Sequence, residues 1–206
     1  MRCDACRMTP SNDPANEAGH EWLDHWQRRN WPPANEIPGL LPLREVLGRS
    51  DSVIVVLRDM HVYSNGVSIN VVARGRPGHH PSFLTMPPLI AERMGLPTPT
   101  CSPMRLQVIF EDGTEATALG TEDLRQRLDE VADQPVLRDT RGSGNPDAMD
   151  YPYWLTPAPT RAVTIKFAWP EQGLPAIELN IDQAALRRAS QEAMELWPAL
   201  TTGHAY

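Results

Sequence analysis

Lysine is almost missing from this chain: Lys166 is the only one among 19 basic residues, the rest being arginine. The bias reads as genomic base composition rather than selection for guanidinium chemistry. Cysteine is scarce as well, at three (Cys3, Cys6, Cys101), too few for a disulfide framework. No apolar run approaches the ~20 residues that cross a bilayer as a helix. The first residues lack the apolar stretch of a secretory signal. These absences together lead us to expect a reduced, cytoplasmic protein with no membrane partner. There is no excess of positive charge either. The net charge is -7, whereas a general nucleic-acid binder needs a basic face to neutralise phosphates. The acidity is local: residues 111–134 carry eight acidic and two basic groups, while residues 1–110 are close to neutral. This reads as a solvated helix and its flanking turns.

Proline, by contrast, is abundant. Twenty-one prolines cannot sit inside helices or central strands, so much of the chain must be loops and strand edges. A mainly helical fold is disfavoured on that ground. Residues 1–14 hold nothing that could build a core. A short helix is expected in "NEAGHEWLDHWQRRN", where Trp22 and Trp26 share a face with Leu23 beside them. "WPPANEIPGLLP" then reads as an extended strap that presses Trp31, Ile37, Leu40 and Leu41 onto the domain. "LREVLGRS" suits a single helical turn.

The clearest signal is "SVIVVLRDMHVYSNGVSINVVARG". Two β-rich runs flank Asn65-Gly66, a pair that favours the positive φ angles of a tight hairpin. Val67, Ile69, Val71 and Ala73 point one way. A long connection with a short helix candidate at 88–94 follows. "MRLQVIFEDGTEATAL" resumes the alternation, with Met104, Leu106, Val108 and Phe110 on one face and Asp112-Gly113 as a second turn. "TEDLRQRLDEVADQP" is an amphipathic helix capped by Thr121, with Leu124, Leu128 and Val131 as its stripe. "RDTRGSGNPDAMDYP" reads as a flexible loop, and "YWLTPAP" as a short strand. Strands are expected over "TRAVTIKFAWP" (Val163, Ile165, Phe167, Trp169) and "AIELNID" (Ile177, Leu179, Ile181). A last helix starts from Asp182, with Leu186, Ala189, Ala193, Leu196 and Trp197 on its inner side.

Hairpins without regular β-helix-β alternation indicate an antiparallel sheet packed on a second sheet or on helices. The expected fold is mainly β: an antiparallel β-sandwich with peripheral helices and a C-terminal helix. In strand count and spacing alone it resembles immunoglobulin-like sandwiches; their Cys–Trp–Cys signature is missing. The expected division is a leader, short helix and strap at 1–45, the sandwich with its helix at 46–198, and a tail at 199–206.

Five stretches bear on chemistry. Cys3, Cys6, His20 and His25 form C-x2-C-x13-H-x4-H, within the spacing of tetrahedral zinc sites. Four protein ligands would make any such zinc structural. Against it, Met8 is the one large apolar residue between the pairs, so the metal would have to fold the segment nearly alone. The alternative is a solvated leader with two exposed thiols. In "RDMHVY", Asp59 and His61 share a strand face and could act as an oriented general base, with Asp150 as a further carboxylate. No G-x-S-x-G elbow supplies a nucleophile. His79 and His80 are adjacent, point apart in a strand, and read as loop. "YPYWL" offers Tyr151, Tyr153 and Trp154 as an aromatic binding platform, or as core. "RGSGNPD" lacks the lysine of a phosphate loop.

With no complete catalytic constellation, the leading expectation is a non-enzymatic binding or adaptor module with a protein partner, contacted through the strap and the 138–154 loop. The alternatives are a small hydrolase-like enzyme built on Asp59, His61 and Asp150, and a zinc-stabilised N-terminal tail that docks a larger complex.

Overall fold

Alternation in the sequence becomes strands wherever a residue has a neighbour to pair with. A computed structural model describes residues 29–78, 104–119, 134–140, 142–145 and 147–197. In chain order these form β1 (Glu36–Ile37), β2 (Gly39–Arg49), β3 (Val53–Val62), β4 (Val67–Gly75), β5 (Arg105–Phe110), β6 (Glu115–Leu119), β7 (Val136–Asp139), β8 (Ser143–Asn145), β9 (Ala148–Thr156), β10 (Val163–Trp169), β11 (Leu174–Ile181), α1 (Gln183–Glu192) and β12 (Met194–Glu195). The protein is mainly β, and α1 is the one full α-helix among the described residues.

One continuous sheet runs β11-β10-β5-β6-β7-β9-β4-β3-β2, with β8 beside β9. β6 is its corner: Glu115–Thr117 pair with β5, and Ala118–Leu119 pair with β7. The β6–β7 pair is parallel, which demands a crossover connection of about a dozen residues or more. The helix expected at 121–135 falls in that connection and lies outside the described residues up to position 133. Trp22 and Trp26, the His79–His80 pair and the 88–94 candidate also lie outside the described residues. The two ends of the sheet meet where Leu174 of β11 packs against Gly48 of β2, so the sheet is nearly closed and barrel-like. Residues from both halves, Val55, Leu57, Ile69 and Val71 with Leu106, Val108, Ile165 and Phe167, fill one core.

The inward faces match the alternation. Val67, Ile69, Val71 and Ala73 are fully buried, and so are Val163, Ile165, Phe167 and Trp169. Both hairpins form, but by different turns. Gly113 takes φ 84°, as expected of Asp-Gly, and the Asp112 carboxylate accepts the Thr114 N–H at 2.9 Å. Neither Asn65 nor Gly66 has a positive φ. Their turn is a four-residue loop closed by the Tyr63 N–H on the Gly66 carbonyl (2.9 Å). Gly66 is required there by space: a Cβ would strike the Trp154 ring and lie 2.6 Å from the Leu155 carbonyl oxygen.

Three segments depart from expectation. "LREVLGRS" is the second half of β2, not a helical turn. Bulges between Pro42 and Glu45 and between Val46 and Gly48 absorb its irregular pattern, with Arg44 at φ 58°. "RDTRGSGNPDAMDYP" is not a plain loop. It contains the end of β7, all of β8 and the start of β9, because β4 pairs along its length with Ala148–Leu155. Gly144 lies so close to the Ala148 carbonyl and to Met149 that a side chain would not fit. Lastly, α1 stops at Glu192. Its N-cap is as expected, Asp182 accepting from Ala185 N, and Leu186 and Ala189 are buried. Met194–Glu195 then pairs with Glu36–Ile37, which turns Leu196 and Trp197 out to solvent instead of into the core.

Candidate functional site

The outer face of β3, β4 and β9 collects most of the conspicuous polar residues. A bulge between Leu57 and Asp59 puts an extra residue into β3 and lets Arg58 and Asp59 both reach outward. Register does the rest. Asp59 lies opposite Asn70 and His61 opposite Ser68, while Asp150 lies across from Val72 on the other flank of β4. The three carboxylate and imidazole candidates of the sequence, Asp59, His61 and Asp150, are thereby joined in one network. Arg58 Nε donates to Asp59 Oδ2 at 2.7 Å and its Nη1 to Asp150 Oδ2 at 3.1 Å. Arg74 Nη2 holds the other Asp150 oxygen at 2.9 Å. Asn70 Nδ2 donates to Asp59 Oδ1 at 2.6 Å, and His61 Nε2 lies 3.4 Å from the same atom. The Asp59 hydrogen bond and charge raise the pKa of Arg58 above its ordinary value.

Chemically the network is a charge-paired cluster on the outer face of the sheet. Asp59 and Asp150 are each engaged by a guanidinium group, and among the described residues no hydroxyl bonds to His61. Two grooves of about 390 and 410 Å³ lie elsewhere, one beside Thr164 and Asn180 and the other between the Tyr63–Ser64 turn and α1; no member of the network lines either. Among the described residues no three His, Cys, Asp or Glu side chains are grouped to hold a metal ion. Cys3, Cys6, His20 and His25 lie outside them.

Tyr151, Tyr153 and Trp154 do not share a face. Tyr153 is core, and Tyr151 packs half-buried against it, edge-on to Trp169. Burial, with the Asp139 charge as a second cause, pushes the Tyr151 hydroxyl up to about 12 and that of Tyr153 further still. Trp154 points to the outer face and is buried there too, beneath the strap. Its indole N–H donates to the Arg29 carbonyl at 3.1 Å, and Tyr63 meets it edge-to-face.

Sequence reasoning missed the residues that hold this strap. Arg138 donates to the Asn30 carbonyl and stacks 4.3 Å from the Trp31 ring centre. Asn65 Nδ2 donates to the Trp31 carbonyl at 3.0 Å. Three successive carbonyls, the first two from helical residues, are thus taken by side chains of β9, β7 and the β3–β4 turn, which satisfies acceptors that a helix end leaves open. Burial lowers the pKa of Arg138. No sequence signal marked this role, since Arg138 opens a stretch, "RDTRGSGNPDAMDYP", that reads as a loop.

The network makes a stability prediction. Asp59→Ala removes the acceptor of buried Asn70 and the closest carboxylate of Arg58. It should cost about 1–3 kcal/mol, the range for stranding a buried polar group, read as a shift in urea midpoint at unchanged slope. A cost below a few tenths would mean that solvent already satisfies Asn70.

No family model matches this chain, and no curated protein matches it. Among solved structures it is similar to a conserved domain protein from Bacillus anthracis, at 8% identity and a TM-score of 0.32, over 81% of this chain and 50% of that one. The chain therefore spans half the length of that protein.

Proposed function

We propose that the protein is a non-catalytic binding or adaptor module for a protein partner, which it contacts through the strap and the 138–154 segment. One observation carries this reading. Of the seven large apolar side chains that stand exposed among the described residues, Trp31, Ile37 and Leu40 belong to the strap, and Met194, Leu196 and Trp197 to the segment that pairs with it. Apolar surface gathered in one region marks interaction sites more often than scattered exposure does. The net charge of -7 fits a protein partner better than a nucleic acid, and three cysteines fit the reduced cytoplasm. The core shared by both halves of the sheet supports a sandwich-like arrangement as the finer reading of the fold.

The hydrolase-like reading draws support from Asp59, His61 and Asp150, which share one network. A panel of nitrophenyl esters, phosphates and glycosides separates the two. The wild-type chain and His61→Ala should both give blank rates. Turnover that His61→Ala abolishes would replace the binding module with an enzyme. The zinc-stabilised tail rests on residues 3–25 and is read by metal content beside a Cys3→Ser/Cys6→Ser variant. For the binding function, a partner enriched on the immobilised full chain should be lost with Leu40→Asp. Equal retention would remove the strap from the contact surface.

A further inference from the structure

The long sheet ends in two edge strands, and only one of them is guarded. β2 carries Pro42, two bulges and Arg44 at φ 58°, and α1 lies over its start at Gly39. Bulges, proline and a covering helix are devices that keep an edge from adding another strand. β11 has Pro175 near its start, but from Ile177 to Ile181 it has neither proline nor bulge, and its register on β10 is unbroken. Among the described residues no strand pairs with its far edge. Such an edge presents a row of backbone donors and acceptors to an incoming strand. Its inward side chains Ile177 and Leu179 pack against the core and stay only half-buried.

The outer face of the same stretch fits one incoming strand in particular. Lys166 Nζ holds Glu178 Oε1 at 3.1 Å, and Thr164 Oγ1 donates to Asn180 Oδ1 at 2.8 Å. Each bond uses half of its side chain. Glu178 Oε2 is left as an acceptor and Asn180 Nδ2 as a donor, with no partner among the described residues. In an antiparallel pair, directly opposite residues share a face. A two-fold axis through Leu179 therefore sets Glu178 opposite Asn180 of a second copy, twice, so that two unspent acceptors meet two unspent donors. On the inner face Ile177 meets Ile181 of that copy. The neighbouring registers lack this match. An axis at Glu178 sets two carboxylates face to face, and one at Asn180 sets Glu178 against Asp182, like charges in both cases. An axis at Ile177 draws Pro175, which has no N–H to donate, into the ladder, and runs toward Leu174, where β2 stands. Self-complementarity of one patch is what a two-fold contact requires. We propose that the β11 edge, Ile177–Ile181, pairs antiparallel with the same edge of a second copy of this chain, in the register centred on Leu179. So short a contact belongs with weak, transient interfaces, and it forms at high protein concentration.

The test is sedimentation equilibrium of the full chain from micromolar to millimolar concentration. Monomer should pass to dimer and no further, because a two-fold contact closes on itself. Asn180→Glu places a carboxylate opposite Glu178 at both ends of the contact and should weaken the dimer about tenfold or more. Both side chains are exposed, so the variant should keep the wild-type melting temperature within a few degrees. Glu178→Asn/Asn180→Glu exchanges the two groups and again sets one amide against one carboxylate. It should recover a dimer within about threefold of wild type, which a variant damaged in folding would not do. In hydrogen exchange, the amides of residues 177–181 should slow as concentration rises. A mass that stays monomeric across the series overturns the proposal, and so does a dimer that Asn180→Glu leaves intact. Failure of the exchanged pair to recover association overturns the register and with it the proposal. Concentration-dependent protection that falls on the Ile37–Met194 ribbon instead of on β11 overturns it as well.

Discussion

Gly39→Ala should cost about 2–3 kcal/mol and lower the melting temperature by about 5–10 °C, on the scaling for a domain of this size. Gly39 opens β2 and pairs with Val62 at the end of β3. A side chain there would run into the carbonyl oxygen of Ala189 and come within 3.1 Å of its Cα, both backbone atoms of α1. A side chain can rotate away from a clash and a helix backbone cannot, so either the strand end or the helix has to move. If α1 lifts, Leu186 and Ala189 lose their burial against β2, and Leu186 alone contributes about 1.5–3 kcal/mol. If the strand end peels away, the Gly39–Val62 pairing is lost. The chain takes the cheaper path, so these costs are alternatives and do not sum. Hydrogen exchange tells them apart: faster exchange at α1 amides means the helix moved, and faster exchange near Val62 means the strand did. A melting temperature within a degree of wild type would show that α1 does not sit on Gly39.

β3, β4, β5, β10 and β11 were legible because each buries one face, and a half-buried strand writes its period into the sequence. β8 and the start of β9 were not, since Gly144 serves a close approach between strands and so mimics the composition of a loop. β2 was obscured by two bulges that break the period. The end of α1 was misplaced because pairing of Met194–Glu195 with a distant strand decides it, and helical periodicity continues past that point. In the candidate site, Asp59 and His61 were visible as a shared face on one strand. Their link to Asp150 needed the register of β9 on β4, which no local pattern encodes. Arg58 and Arg74 stood in the sequence as ordinary strand-face arginines, and Arg138 as part of a supposed loop. What makes them matter is who faces them: a carboxylate from another strand, or the carbonyl that ends a helix.

Trp154→Ala should be the most damaging single change in the outer layer, at about 3–5 kcal/mol, the range for emptying a buried tryptophan site. The ring does three things at once. It covers Gly66 in the β3–β4 turn, meets Tyr63 edge-to-face with centroids 5.7 Å apart, and donates its N–H to the Arg29 carbonyl of the strap. Trp154→Phe separates these roles. It keeps an aromatic ring against Tyr63 and gives up the N–H, so the hydrogen-bond share should appear as about 1 kcal/mol. The remainder belongs to packing. Gly66→Ala probes the same contact from the other side and should cost about 1–3 kcal/mol, since its Cβ would press on the ring. Combining Gly66→Ala with Trp154→Ala removes the ring that the new methyl strikes. The double variant should therefore be more stable than the sum of the two losses by about 1 kcal/mol, a coupling expected only of residues in contact. Relief should be incomplete, because the Leu155 carbonyl oxygen still lies 2.6 Å from the new Cβ. Urea unfolding of the four proteins measures this directly. Strict additivity would mean that the ring and the turn do not touch, and would leave the Leu155 carbonyl oxygen as what keeps Gly66 a glycine.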